Sequence, residues 1–488
     1  VDAFETGVVA FNDGFWAYFL IPLLILLSLY FTFGSGLVQF RLIPEMFRAI
    51  KERPGHTAED GGKPISAFEA FAVSAAARIG TGNIAGVATA IALGGAGAVF
   101  WMWVMALLVS AASFIESTLA QLYKVRDKTG FRGGPAYYMK YGLRAPWLGV
   151  LFAVIITVTF GLVFTMVQSN TIAGAIGNSA EAAGIAAGGW LPLALGVLLA
   201  GTTAAVTFGG ARRIAHVASL VVPFMAALYI LMGLVVVAMN ITAVPAMVAD
   251  IVAQAFGLRE AAAGAVGTAV VQGIRRGMFS NEAGLGSAPN AAASAAVSHP
   301  AKQGLVQTLG VYFDTLIVCS TTAFIILLSG VGLDAEAGPT LTQDALAATL
   351  GPWAVHLLTA VILLVAYTSV LGNAFYGEAN VGYLSPSPVA VNGFRAANVL
   401  MTFLGAVGSA TLVWSMADVA MGVMAVVNLV ALAPLAPLAF RVLKDYTEQR
   451  KEGRDPVFTR DRIPGLANVH CWEESDVEHF RKESAPSA

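Results

Sequence analysis

"GTGNIAG" (80–86) interrupts a long apolar run, between "FAVSAAARI" (71–79) and "VATAIALGG" (87–95). In hydrocarbon no water satisfies backbone groups that lose their intrahelical partners, and two glycines so close together weaken a helix. A Gly-Thr-Gly-Asn run at mid-span therefore marks a helix that is meant to break, with its freed amides and carbonyls facing a protected cavity.

Composition places that break in a membrane. Apolar residues make up 57% of the 488, only 12% are charged, and the mean hydropathy is +0.73; a soluble chain is roughly a quarter charged. Reading windows long enough to cross a bilayer gives eleven spans, near 16–33, 66–95, 98–123, 148–176, 190–208, 213–239, 262–295, 304–330, 352–381, 396–417 and 419–440. The first follows an acidic leader free of Lys and Arg and is read as a true span rather than a cleaved signal. Cys319 and Cys471, one in a span and one in the tail, read as unpaired thiols.

Basic residues test this count. With eleven spans one side collects Arg41, Arg48, Lys51, Arg53 and Lys63, then Lys124, Arg126, Lys128, Arg132, Lys140 and Arg144. The same side takes Arg212, Arg213, Lys302, Arg395 and the basic residues from Arg441 to Lys482, whereas the other side takes Arg259. By the positive-inside rule the N-terminus lies outside and the C-terminus in the cytoplasm of a multi-pass protein of the cell membrane.

A second interrupted span, "GIRRGMFSNEAGLGSAPNAA" (273–292), is also Gly-rich and polar at its middle, and Asn281 stands in it where Asn83 stands in the first. Four continuous spans follow each. Five spans per unit is an odd number, so the units cross in opposite senses. The organisation is a leader, peripheral span and loop (1–65), a five-span repeat (66–239), an amphipathic outer connector (240–261), an inverted five-span repeat (262–440) and a tail (441–488). Broken spans at matching places in two such halves point to a transport site. The half-helix starting near Asn83 offers a positive dipole end to a carboxylate, and the one ending near Ile79 offers carbonyls to a small cation. Taken singly, paired glycines also serve close helix packing.

"GTGNIAGVATAI", "GGPAYYM" (133–139), "RRGMFSNEAGLGSAP" (275–289) and "HPAKQGLVQTLGVYFDTLIVCSTTA" (299–323) resemble the alanine/glycine:cation symporter family, from about residue 66 to the end of the last span. The resemblance implies an all-α leucine-transporter-like fold and Na+-coupled symport of a small neutral amino acid: alanine, glycine or a more polar one. Na+ is then the coupling ion, with no other cofactor and no enzymatic role. It implies a carboxylate site at the amides of Gly80, Thr81, Gly82 and Asn83, with Gln168 reaching the same pocket and Phe279, Ser280 and Asn281 facing it from the seventh span. It implies a sodium site of the carbonyls of Ala76, Ile79 and Val365 with the hydroxyls of Thr368 and Ser369, and lets Asn83 serve a second cation. Taken alone, Thr368 and Ser369 read as hydroxyls bonded back to their own helix, Gln168 as interhelical glue and Phe279 as packing. The family commonly has tryptophan after the glycine of the ninth span; this chain has Asn373, so the resemblance implies that Asn373 lines the substrate pocket and fits it to a larger or more polar side chain, and where the family often has Ile-Ala-His after the proline this chain has Asn290, Ala291 and Ala292.

Intramembrane charges need partners. Glu116, Glu282, Asp314 and Glu378 are set against Arg78, Arg275 and Arg276 as internal ion pairs or gate networks, with Glu69 and Asp418 also counted among the intramembrane charges. Arg276, beside a Gly277 expected to unwind, is the foremost gating residue. His216 and His356 lie near span ends and read as no proton shuttle; no metal-ligand spacing, phosphate loop or nucleophile motif is present, and Cys319 with His356 lacks a third orienting group. Partners are an amino acid and the bilayer, not nucleic acid, with the protein a monomer or weak homo-oligomer. Proton coupling is the nearest alternative, although no lysine lies within any span. A channel is disfavoured by polarity confined to two breaks. The tail, of mixed charge with Pro456, Pro464 and Pro486, is expected to be a solvated or membrane-surface segment.

Overall fold

The computed structural model describes residues 11–52, 65–127, 130–185, 188–258, 263–332, 338–477 and 480. Arg53, Lys63, Lys128, Arg259 and Lys482, used above to orient the chain, lie outside these, as does the side chain of Arg212. The structure is all-helical apart from a hairpin, β1 (Val125–Asp127) and β2 (Gly130–Arg132).

The long helices are α1 (Phe11–Gly34), α2 (Ala67–Arg78) bent by 51° against α3 (Gly82–Gly94), α4 (Gly97–Leu122), α5 (Pro146–Ala182), α6 (Trp190–Thr207), α7 (Ala211–Met239), α8 (Val244–Ala255), α9 (Ala263–Asn281), α10 (Ala288–Ser294), α11 (Pro300–Ser329), α12 (Pro339–Leu350), α13 (Trp353–Leu384), α14 (Pro388–Val407) and α15 (Ala410–Lys451). Among the described residues nine helices are long and apolar enough to cross a membrane, ten if α2 and α3 count as one span. α9 and α10, separated by residues 282–287, are not counted among them.

α2 starts on a capping box: Ser66 Oγ accepts from the Glu69 amide (3.1 Å) while the Ser66 amide donates to Glu69 Oε2 (2.8 Å). Glu69, counted above among the intramembrane charges, is thus a helix cap. α8 is amphipathic, as expected of the connector, and lies on α4, with Trp101 Nε1 donating to the carbonyl of Ala255 (3.2 Å). α4 runs through the centre, buried from Val109 to Leu122, against α9 and α11. Close packing elsewhere joins α6 to α14, and α5 to α13 and α14. Small residues permit it: a Cβ on Gly372 of α13 would stand 2.8 Å from the backbone nitrogen of Ala77.

The tail corrects the expectation of a solvated segment. Val457, Phe458, Ile463, Cys471, Trp472 and Val477 are buried. The Phe458 amide donates to the carbonyl of Ser298 (2.9 Å), and Trp472 Nε1 to that of Gln121 (3.0 Å). Lys302 Nζ reaches Glu52 (2.7 Å) and Asp455 (3.0 Å). Lys124 Nζ lies 4.4 Å from the Trp472 ring and 3.9 Å from that of Phe131, and burial lowers its pKa to about 8, leaving it mostly charged at neutral pH. Burial holds His299 neutral, with its pKa down at about 4; its Nδ1 accepts from the Ala301 amide, so Nε2 donates to Asp445 (3.2 Å). The apolar residues of the tail are few but well spaced, and together they cover the loop between α10 and α11. We expect Trp472→Ala to destabilise the protein by about 3–5 kcal/mol. Thermal unfolding in detergent, with proteolysis of the tail, checks this; an unchanged midpoint and an uncut tail would contradict it.

Candidate functional site

The first break follows directly from its residues. Ile79 leaves helical geometry (φ −74°, ψ 89°). The Gly80 amide donates to Asn83 Oδ1 (2.9 Å), the Thr81 amide to Gln168 Oε1 (3.1 Å), and the Asn83 amide to the Gly80 carbonyl (3.2 Å). A wide helical turn, Gly82–Gly86, then resumes the helix. Side-chain carboxamides thus hold two of the freed amides, and the fourth-span Gln168 reaches the break. Thr81 Oγ1 is buried with no hydrogen-bond partner among the described residues. A Cβ on Gly82 would meet the Phe279 ring at 2.9 Å and the Ser280 Cα at 3.1 Å, so the two broken helices touch here.

The second break lies later than expected. α9 continues through Gly277 to Asn281, and the unwound residues are 282–287, with Glu282 (φ 57°), Gly284 (φ 80°) and Gly286 (φ 82°) in the left-handed region. Gly273 serves packing instead, since a Cβ there would overlap the carbonyl of Ala98, and Gly277, where a Cβ would make only ordinary contact with Met102, stays helical. Glu116 of α4 tethers the unwound strand, with Oε1 accepting from the Gly284 amide (3.2 Å) and Oε2 from the Gly286 amide (3.1 Å). Asn428 of α15 donates to Glu116 Oε2 (2.8 Å) and to the carbonyl of Gly284 (2.9 Å), and its Oδ1 accepts from the Tyr138 hydroxyl. Glu282 accepts from Ser287 Oγ (2.6 Å).

Asp314 joins the two broken helices. Its Oδ1 accepts from Asn83 Nδ2 (2.7 Å); its Oδ2 accepts from Ser280 Oγ (2.7 Å) and Thr315 Oγ1 (3.2 Å). Cys319 Sγ sits 3.3 Å from Asn83 Nδ2 and 3.1 Å from Ser280 Oγ. Asn281 joins this group through Thr315: its Nδ2 donates to Thr315 Oγ1 (3.3 Å), and its Oδ1 accepts from the Ala283 amide.

Beside the first break, Ser369 Oγ lies 3.2 Å from the Ile79 carbonyl and 3.1 Å from that of Val365, while Thr368 Oγ1 lies 2.9 Å from the Val365 carbonyl. The hydroxyls bond back to their own helix, as such residues commonly do, and Ser369 also crosses to α2. Ala76 is buried on α2, which packs against α13. Asn373 is buried on α13.

The charges pair differently from the sequence reading. Arg276 grips Asp418 with two bonds, Nη1 to Oδ1 (3.1 Å) and Nη2 to Oδ2 (2.7 Å), and its guanidinium lies 5.1 Å from the Trp414 ring. Arg275 binds Asp13 (2.9 Å) and approaches Asp418 (3.8 Å). Trp414 packs on Phe279 (5.1 Å), which packs on Phe164 (4.7 Å). Glu378 pairs with Arg395 (2.8 Å) where α13 meets α14. Arg78 donates to the carbonyl of Gln307 (3.2 Å) and has no carboxylate within 4 Å among the described residues. Glu116, Glu282 and Asp314 accept hydrogen bonds and form no ion pair there. Neither Asn428 as a tether nor Asp418 as the partner of Arg276 was expected from the sequence. A lone asparagine in the last span and an aspartate at the junction of the last two were the available signals.

Both cysteines are free and buried, and among the described residues no group of His, Cys, Asp and Glu is arranged to hold a metal ion.

The architecture matches that of MhsT, solved in complex with L-phenylalanine, with a TM-score of 0.57 over 80% of this chain and 99% of that one; at 13% identity the likeness concerns the fold alone. Relatives are much closer in sequence. The chain is 50% identical to the amino-acid carrier protein AlsT of Bacillus subtilis (96% of this chain, 97% of the relative). It is 48% identical to the probable sodium/glutamine symporter GlnT of the same organism (96% of each). The sodium:alanine symporter family matches residues 1–460. A multi-span membrane protein built around two broken helices, this chain belongs to the sodium:alanine symporter family.

Proposed function

We propose that the protein carries a small neutral amino acid together with Na+ across the cell membrane by alternating access. The observation that carries this is the gathering of hard oxygens at the first break: the Ile79 and Val365 carbonyls both lie within 3.2 Å of Ser369 Oγ, beside Thr368 Oγ1. A dehydrated Na+ is held by such ligands. On binding it would take over the carbonyls that the hydroxyl protons now occupy, with Ala76 contributing a further carbonyl. The amides of Gly80, Thr81, Gly82 and Asn83 would receive the substrate carboxylate, with Gln168 and Asn83 releasing those they bind. Phe279 would wall the pocket, and Ser280 and Asn281 would flank it from the second broken helix.

If each broken helix is one crossing the spans number eleven, and the positive-inside rule would then put the N-terminus outside. Helix pairing supports an inverted repeat of 66–239 and 262–440 joined through 240–261, since the second, third and fourth helices of each half pack on their counterparts: α4 on α11, α5 on α13, α6 on α14. Linkage follows: if Na+ orders the break, the amino acid binds better, and the converse holds equally. The Na+ gradient and membrane potential supply the work.

The test is uptake of labelled alanine into proteoliposomes under an inward Na+ gradient, compared with K+ and pH gradients. We expect Na+-driven accumulation, reduced roughly tenfold or more by Thr368→Ala. Uptake indifferent to Na+ would end this reading. Asp314 favours a second one, proton coupling, because a buried acid joins both broken helices without a basic partner within 4 Å among the described residues. Accumulation driven by pH alone and lost in Asp314→Asn would establish it.

A further inference from the structure

We propose that the groove where α1 ends against α15 binds the phosphate of an anionic membrane phospholipid. The site lies apart from the transport pocket and does not depend on the symport reading.

The groove is made by a close approach and a turn. Gly34, the last residue of α1, lets the two helices meet, since a Cβ there would overlap the ring of Phe440 on α15. The chain then turns through Gly36 (φ 62°) and Leu37 (φ 57°), both left-handed, into the short helical segments Val38–Arg41 and Ile43–Ala49. That turn brings Arg41 back over it: a Cβ on Gly36 would stand 3.6 Å from Arg41 Nη1. Arg441, Lys444 and Thr447, spaced along one face of α15, line the opposite wall. The groove holds about 380 Å³, and among the described residues no acidic side chain lines it.

Three cations thus share one space without a counter-charge. The carboxylates nearby in sequence are engaged elsewhere, Glu45 by Arg450 (3.1 Å) and Asp445 by Arg462 (2.7 Å). Lys444 meets Glu448 at 3.8 Å, on side chains that are both mostly exposed. Arg441 Nη1 donates to the carbonyl of Pro464 (3.3 Å), which steadies its guanidinium. Like charges gathered this way repel one another until an anion lies between them.

Depth and rim select the anion. The groove opens where α1 ends and where the apolar run of α15 gives way to Arg441, the level at which two spans leave hydrocarbon. Phe33, Leu37 and Phe40, next in the chain to its lining residues, are exposed. A glycerophospholipid carries a phosphodiester and two acyl chains at that depth, so one molecule fills the groove and covers the rim. Free phosphate would leave the rim bare. A choline headgroup would set its own cation among three others.

The experiment is native mass spectrometry of the full chain in detergent, titrated with dioleoyl phosphatidylglycerol or with the phosphatidylcholine of the same acyl chains. We expect phosphatidylglycerol to bind at least about tenfold more tightly, and the double variant Arg41→Gln with Arg441→Gln to weaken it roughly 25-fold, about fivefold for each charge. Lys444→Gln, on a side chain 75% exposed, should cost about fivefold and serves if the double variant folds poorly. Arg48→Gln, outside the groove, should change binding less than about threefold. Phosphatidylglycerol should also raise the melting midpoint of the wild type and not that of the double variant. Equal binding of the two lipids, or a loss below about threefold in both groove variants, overturns the site. Inorganic phosphate that competes at the same concentration would make it a site for a free anion and overturn the lipid assignment.

Discussion

Gly80→Ala is expected to lower Na+-driven amino-acid uptake by ~100-fold or more in a protein that still folds. The added Cβ would overlap Ser369 Oγ and stand 3.2 Å from Ser369 Cβ and 3.0 Å from Gln168 Oε1. Ser369 can make room only by rotating, which breaks its bonds to the carbonyls of Ile79 and Val365. Gln168 Oε1, which accepts from the Thr81 amide, must also give way and so weakens that bond. One methyl thus disturbs the proposed sodium and carboxylate sites together, whereas the bulk of the fold is untouched. Gly174→Ala is the control: a Cβ there meets nothing within 4 Å, and alanine is the better helix former. Uptake by Gly80→Ala within about threefold of wild type would show that the break does not hold the substrate.

The second large effect concerns the pair that joins α9 to α15. Arg276 and Asp418 are buried and doubly bonded, so removing one charge strands the other; breaking such a pair costs about 3–5 kcal/mol. Asp418→Asn should do more harm than Arg276→Gln, because Arg275 also approaches Asp418 (3.8 Å). Both single variants are expected to melt lower and transport poorly. The double variant Arg276→Met with Asp418→Leu should recover much of the thermal stability, since apolar replacement of a buried pair is often neutral. It should not recover uptake if the pair must open and re-form during the cycle, as an ion pair above Trp414 and Phe279 would when it closes the pocket. Full uptake in the double variant would assign the pair to stability alone.

Much of this was readable from the chain. The Gly-Thr-Gly-Asn run marked the first break because glycine and polar backbone in hydrocarbon are local properties, visible within a few residues. The second break was located to its span and then displaced: Gly273 and Gly277 resemble helix breakers in sequence, but both stay within α9, Gly273 packed closely on Ala98, and the unwinding falls at Gly284 and Gly286. The tail was misread for a related reason. Its apolar residues are scattered among charges, and only the surface formed by Gln121, Lys124 and Ser298 gives them something to cover.

Hydropathy, the spacing of basic residues and the two glycine-rich interruptions were enough, by themselves, to determine an all-helical membrane protein with broken helices at its centre. Tertiary structure alone decided which charges face which partners. Asn83 and Asp314 are 231 residues apart, Glu116 and Gly284 168, and Arg276 and Asp418 142. A span's need to be apolar is written in its own residues, but the partner of a buried polar atom is set by which helix happens to lie across from it. That depends on the packing of the whole bundle.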